Sequence, residues 1–243
     1  ESGVFLSVLG FGMGNYKDNK MQQLADHGNG NHSYIDNISE ARKVFVNEFG
    51  GTLFTVAKDV KIQVELNPSL VAGYRLIGYE NRLLENKDFN DDTKDAGEIG
   101  SGHTVTALYE IIPTGITSPF LKSTDKLKYQ KTEIDMAGKS QDELMTIKFR
   151  YKDPEGSTSK LLERVVLNDN GQLTATGENF RWSAAVASFS MLLRNSPFAG
   201  TSTYEDVERL ALGSVGNDPH GYRKEFLTLV KGMQKLTEAT VQR

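Results

Sequence analysis

The chain has 243 residues, a net charge of −4 and no cysteine. That length suits one large or two ordinary domains and allows roughly 70% of the unfolded surface to be buried. Acidic and basic residues are interspersed, so no basic field is present to neutralise phosphates, and nucleic acid is excluded as the expected partner. Without cysteine there are no disulfides, thiolate metal sites or cysteine nucleophile, and the redox compartment stays open.

In chain order, the first element is the apolar run Val4 to Gly10, closed by Gly10, Gly12 and Gly14. It reads as a strand covered on both faces, in mid-fold. A helix carrying Met21, Leu24 and Ala25 follows, then the Gly28-Asn29-Gly30 turn and a short strand with Tyr34. Apolar positions Ala41, Val44, Phe45, Phe49, Leu53 and Val56 predict a helix from Ser39, its N-cap, to about residue 57, broken at Gly50-Gly51.

From Val60 the period becomes two: Val60, Ile62, Val64 and Leu66 are expected to face inward and Lys61, Gln63 and Glu65 outward. The Asn67-Pro68-Ser69 turn leads to a second strand, Val71 to Tyr79, and three further alternating runs cover Thr104 to Ile112, Leu144 to Tyr151 and Lys160 to Leu167. Five strands with polar connections predict a β-sandwich. The remainder is helical. Trp182, Ala185, Val186, Phe189, Leu192 and Leu193 share one expected face, Val207, Leu210 and Ala211 a second, and Tyr222, Phe226, Leu229, Val230, Met233 and Leu236 a third, with Asp218-Pro219 at the start of the last helix. No apolar stretch reaches the ~18 residues of a membrane span. Any targeting segment lies outside view.

The strand ending in Gly10-Phe-Gly-Met-Gly14, the helix after it, the Tyr34 strand and the helix from Ser39 resemble the last two βα units of a von Willebrand factor type A domain. The continuation, Lys58-Asp59-Val60 through Asn67-Pro68 and Tyr74 to Arg82, and on to Gly102-His103-Thr104-Val105-Thr106-Ala107-Leu108-Tyr109-Glu110, resembles the C-terminal domain of unknown function in a bacterial family of such proteins. The resemblance implies a divalent cation in an Asp-x-Ser-x-Ser loop, adhesion or complex assembly through it, and an exported or lipid-anchored relative. No Asp-x-Ser-x-Ser occurs here, so the cation is implied for residues upstream and for none of this chain.

Chemistry-bearing residues are sparse. Asp88, Asp91, Asp92, Asp95 and Glu98 are the densest acidic cluster, yet a calcium loop begun at Asp88 would put Thr93 where glycine is required and Ile99 where the bidentate glutamate is required. A solvated, mobile connection is the expected reading. His27, His32, His103 and His220 are scattered without zinc spacing. His103 is read as the first residue of a strand, hydrogen-bonded to backbone rather than acting as a base. Gly10, Gly12 and Gly14 lack the dinucleotide-binding spacing, and no serine stands in Gly-x-Ser-x-Gly. Tyr74, Tyr79, Tyr109, Tyr129 and Tyr151 are expected to pack across strands.

The reading is an α+β chain in three parts: residues 1–57, closing units of a von Willebrand A-like domain; 58–170, a β-sandwich; and 171–243, helical. The expected function is a non-enzymatic protein-interaction, adhesion or assembly module in the cell envelope, with no catalytic, cofactor or metal residue and a protein partner of unknown identity. Self-association through the open strand at 4–10 is expected with it. The alternatives are a small-ligand or enzyme-accessory domain with a pocket between sandwich and helices, near Arg75 and His103, and a structural spacer.

Overall fold

A computed structural model describes residues 5–12, 14, 17–28, 30–79, 83–121, 142–169 and 171–241. Val4 and Tyr129, named above, lie outside them. Helices and strands are mixed and the sheets are open, an α+β fold. The chain divides into two compact units. One comprises residues 1–74, 79–105 and 111–168, and the other 75–78, 106–110 and 169–243.

The sheet-containing unit starts with β1 (Val8–Phe11), α1 (Asp18–His27) and β2 (His32–Ile35), and β1 pairs with β2 in parallel from Val8↔His32 to Phe11↔Ile35. Parallel strands need a crossover, which α1 supplies. Gly30 is required by proximity, because a Cβ there would sit 2.1 Å from the Leu6 carbonyl oxygen.

The long helix expected from Ser39 is three short pieces. α2 (Ile38–Arg42) is capped by Asn37, whose side chain accepts from the amides of Ser39 and Glu40. A π-helical turn, Lys43–Asn47, follows, and α3 covers Phe49–Leu53. The interruption falls at Glu48, ahead of the glycines, and Val56 belongs to the next strand. Gly51 and Gly100 serve a different purpose: a Cβ on Gly100 would lie 1.6 Å from the Gly51 carbonyl oxygen, so this backbone approach admits glycine only.

β3 (Thr55–Leu66), β4 (Val71–Ile77), β5 (Gly97–Gly100), β6 (Leu108–Pro113), β7 (Glu143–Lys152) and β8 (Lys160–Leu167) complete the strands. The four-stranded sheet has the order β5-β3-β7-β8, with antiparallel neighbours throughout, and β4 pairs with β6 in a separate two-stranded sheet. The sheets are open, and on β8 Leu161 and Val165 on one side, and Leu162 on the other, are all exposed. The sequence reading passed over β5, four residues with two glycines, because so short a run carries no alternation to detect.

The other unit contains α4 (Glu178–Leu193), α5 (Tyr204–Leu212) and α6 (Tyr222–Val241). Its core is Ala185, Phe189, Val207, Ala211, Leu227 and Val230, with Trp182 and Phe226 packed against it. Phe189 meets Phe226 and Tyr204 edge-on at 5.2 and 5.9 Å. The inward face of α4 therefore runs through Ala185 and Phe189, while Val186 and Leu193 are exposed. Thr203 and Asp206 form a capping box at α5. Arg223 donates to the carbonyls of Ser214 and Val215, just past the end of α5. α6 begins three residues later than Asp218-Pro219 suggested. Asp218 still caps it, accepting from the Lys224 amide at 3.0 Å.

Candidate functional site

The acidic segment 86–98 is built into the fold. β7 places Lys148, Arg150 and Lys152 on one face, and β3 adds Lys61, which pairs with Arg150 in register. An extra residue in β3 between Lys58 and Lys61 makes a bulge, and Asp59 within it adopts φ 51°. Asp tolerates this left-handed conformation. From there its carboxylate reaches the Lys152 Nζ at 2.7 Å.

The same face receives the turn Asn86–Asn90 and the residues after it. Lys61, buried, donates to the carbonyls of Asp88 and Asp91. Lys152, also buried, donates to the Asp92 carbonyl at 2.8 Å. Arg150 donates to Asn90 Oδ1 at 2.9 Å and Ser159 Oγ at 2.7 Å, and its guanidinium lies 5.5 Å from the centre of the buried Phe89 ring. The Arg150 Nε is buried without a partner among the described residues. The segment is solvated as expected at Asp92 and Asp95, which are exposed, but its backbone is anchored as a clasp, because each buried cation is resolvated by carbonyls or a carboxylate.

The expected direction of burial in β3 is inverted at one step, where Lys61 is buried and Ile62 exposed; further along, Glu65 is exposed and Val64 and Leu66 are half-buried, as expected. The face opposite Lys61 carries Ile62, Val64 and Leu66 from β3, Met145, Ile147, Phe149 and Tyr151 from β7, and Leu162 and Val166 from β8. Ile62 is 49% exposed, and none of these residues is fully buried.

The electrostatics of the clasp divide. Hydrogen bonds from Thr93 hold the Asp91 carboxyl below its usual range, and bonds from Ser159 do the same for Asp92. The Asp59 carboxylate holds the Lys152 ammonium above its usual range, against the effect of burial. Glu98 moves the other way, pushed up to about 7 by burial and then by the charges of Asp95 and Asp59.

The histidines stay apart. His27 Nδ1 lies 2.7 Å from the Gln23 carbonyl, His32 faces Asp18 at 3.6 Å, and His220 stacks on Tyr222. His103 is exposed in the turn after β5, well before β6, so its place at a strand start is corrected. Among the described residues no three His, Asp or Glu side chains gather as a metal site. Arg75, in the helical unit, is engaged: it pairs with Glu110 at 2.5 Å and its guanidinium lies 4.1 Å over Phe198. Tyr74 is exposed and Tyr151 packs on Phe149.

Two further features are distinct from the clasp. The first 56 residues display Phe11, Ile38, Val46 and Phe54, each more than 60% exposed, beside Phe5, Leu6, Phe45, Phe49, Leu53 and Val56. The helical unit holds a cavity of about 430 Å³ along α4.

Residues 51–236 match the family described as "Uncharacterized protein YfbK, C-terminal". The chain is 41% identical over 238 residues, 98% of its length, to the Escherichia coli K12 protein described as "Uncharacterized protein YfbK". It belongs to this family. The aligned region is 40% of that relative's length. No solved structure matches the chain.

Proposed function

We propose that the chain is a non-enzymatic interaction module whose first 57 residues are closing βα units of a von Willebrand A-type domain. The observation that carries the reading is the exposed apolar surface on residues 5–56, led by Ile38 at 83% and Val46 at 69%. Exposed apolar residues in this number support a protein-contact site. The β1–β2 pair supports the same reading, since parallel strands are ordinarily buried on both faces and two strands alone are marginal in water. A protein partner, self-association through the β1 edge, and an envelope location belong to this proposal, as does assembly or adhesion as its purpose.

The test is sedimentation of the chain over a concentration series, beside an Ile38→Lys, Val46→Lys double variant with unchanged circular dichroism. The parent is expected to gain mass with concentration and the variant to stay monomeric. A parent that remains monomeric and binds no apolar dye overturns the proposal.

A further inference from the structure

We propose that the cavity along α4 binds a small, elongated acidic molecule with a flat apolar body. Its volume of about 430 Å³ falls within the ~300–1,000 Å³ of small-molecule sites. Trp182, Val186 and Met191 supply an apolar wall, and Val186 is 39% exposed, so the cavity opens to solvent. An indole is the side chain that best accepts a flat aromatic body, and beside it the Met191 sulfur accepts from the Arg75 guanidinium at 3.3 Å.

Polar groups in it are few and ordered. Ser183, Ser190 and Arg194 line the cavity on one stripe of α4, with Ala187 between the serines leaving room above the helix. From 183 to 194 the axis rises about 16 Å, which sets an elongated shape. The serine hydroxyls make no side-chain hydrogen bond among the described residues and are free to bond a ligand. Arg194, which also has a partner within the chain, keeps a permanent positive charge at one end, and that charge favours an acidic group over a neutral or basic one. All these residues belong to the helical unit, so the inference does not depend on the interaction surface proposed above.

Trp182 is the only tryptophan of the chain and lies on the cavity wall, so contact quenching of its emission reports on this site alone. The probe is 6-bromo-2-naphthoate, whose bromine quenches at contact, with the uncharged 6-bromo-2-naphthamide beside it. Saturable quenching by the acid is expected, about tenfold weaker with Arg194→Gln, together with weaker binding of the amide that the variant leaves unchanged. Ala187→Leu, which fills the cavity, is expected to abolish quenching by both, and Ser190→Leu replaces it if that variant does not fold. Non-saturable quenching, equal binding of acid and amide, or indifference to the filling variants overturns the proposal. So does a cavity closed to the probe in which Ala187→Leu lowers the mass in solution, since a protein segment would then be the occupant.

Discussion

The two units invert each other. In the helical unit the apolar residues Ala185, Phe189, Val207 and Val230 are buried, and polar residues such as the Thr203-Asp206 box finish the helix ends. In the sheet-containing unit the clasp buries the charged residues Lys61 and Lys152, while Ile62 and Leu162 on the other face are exposed. The first is the arrangement the hydrophobic effect alone produces. The second stands only because its buried cations are individually bonded, and it leaves apolar area available for contact.

The largest expected effect breaks the comparison where it is strongest. Phe189→Ala, at the centre of two edge-on aromatic contacts and the helical core, should cost about 3–5 kcal/mol. Ile62→Ala on the open sheet face should cost under about 1 kcal/mol, since half of that side chain is in water already. Urea unfolding followed by Trp182 emission reads the helical unit, and far-ultraviolet circular dichroism reads both. Equal costs at the two positions would mean that the apolar sheet face is covered within the chain.

A smaller effect sharpens the contrast from the polar side. Asp59→Ala removes the carboxylate from a largely buried Lys152 and leaves the Asp92 carbonyl as its partner, at a cost of roughly 2–4 kcal/mol. Lys152→Met keeps the apolar stem and removes the charge, and is expected to cost less than half as much. Amide exchange across residues 86–95 should accelerate in the first variant more than in the second. Equal acceleration would show that the ion pair, rather than the relief of a stranded charge, holds the clasp.

Several elements were legible from periodicity, though the helical spacing from Ala41 to Val56 concealed three short pieces and a strand start. β7, β8 and α4 lie where alternation and helical spacing put them. The site was not legible from the same signal. Alternation in β3 separates Lys61 from Ile62 but is silent on which face is covered, and apolar-inward is only the commoner answer. The missed signal was charge matching: Lys148, Arg150 and Lys152 alternate onto one face of β7, opposite the acidic segment from Asp88 to Asp95, and such a pair of opposite patterns argues for contact. The Gly51–Gly100 approach was hidden for another reason. Two glycines 49 residues apart carry no mark of spatial proximity, and it is the room for a Cβ that Gly100 lacks, against the Gly51 carbonyl, that shows it.

The last and smallest effect belongs to Glu98, at the end of the clasp. Its folded pKa of about 7 lies above the ordinary value of 4.5, because burial and the neighbouring Asp95 and Asp59 charges disfavour the carboxylate. Between those two values the folded chain binds more protons than the unfolded one, so stability must fall as pH rises. The contribution is fully present below about pH 4.5 and is lost as pH rises through 7, a change on the order of 1–2 kcal/mol. Asp91 and Asp92, with lowered pKa values, act in the opposite sense and only in more acidic solution, so they leave the window above pH 5 to Glu98. Urea midpoints from pH 5 to 8 should therefore decline in the parent and flatten in Glu98→Gln, whose amide stays neutral throughout. Midpoints with the same slope in parent and variant would place the titrating group elsewhere and would remove the charged end of the clasp from the contrast between the two units.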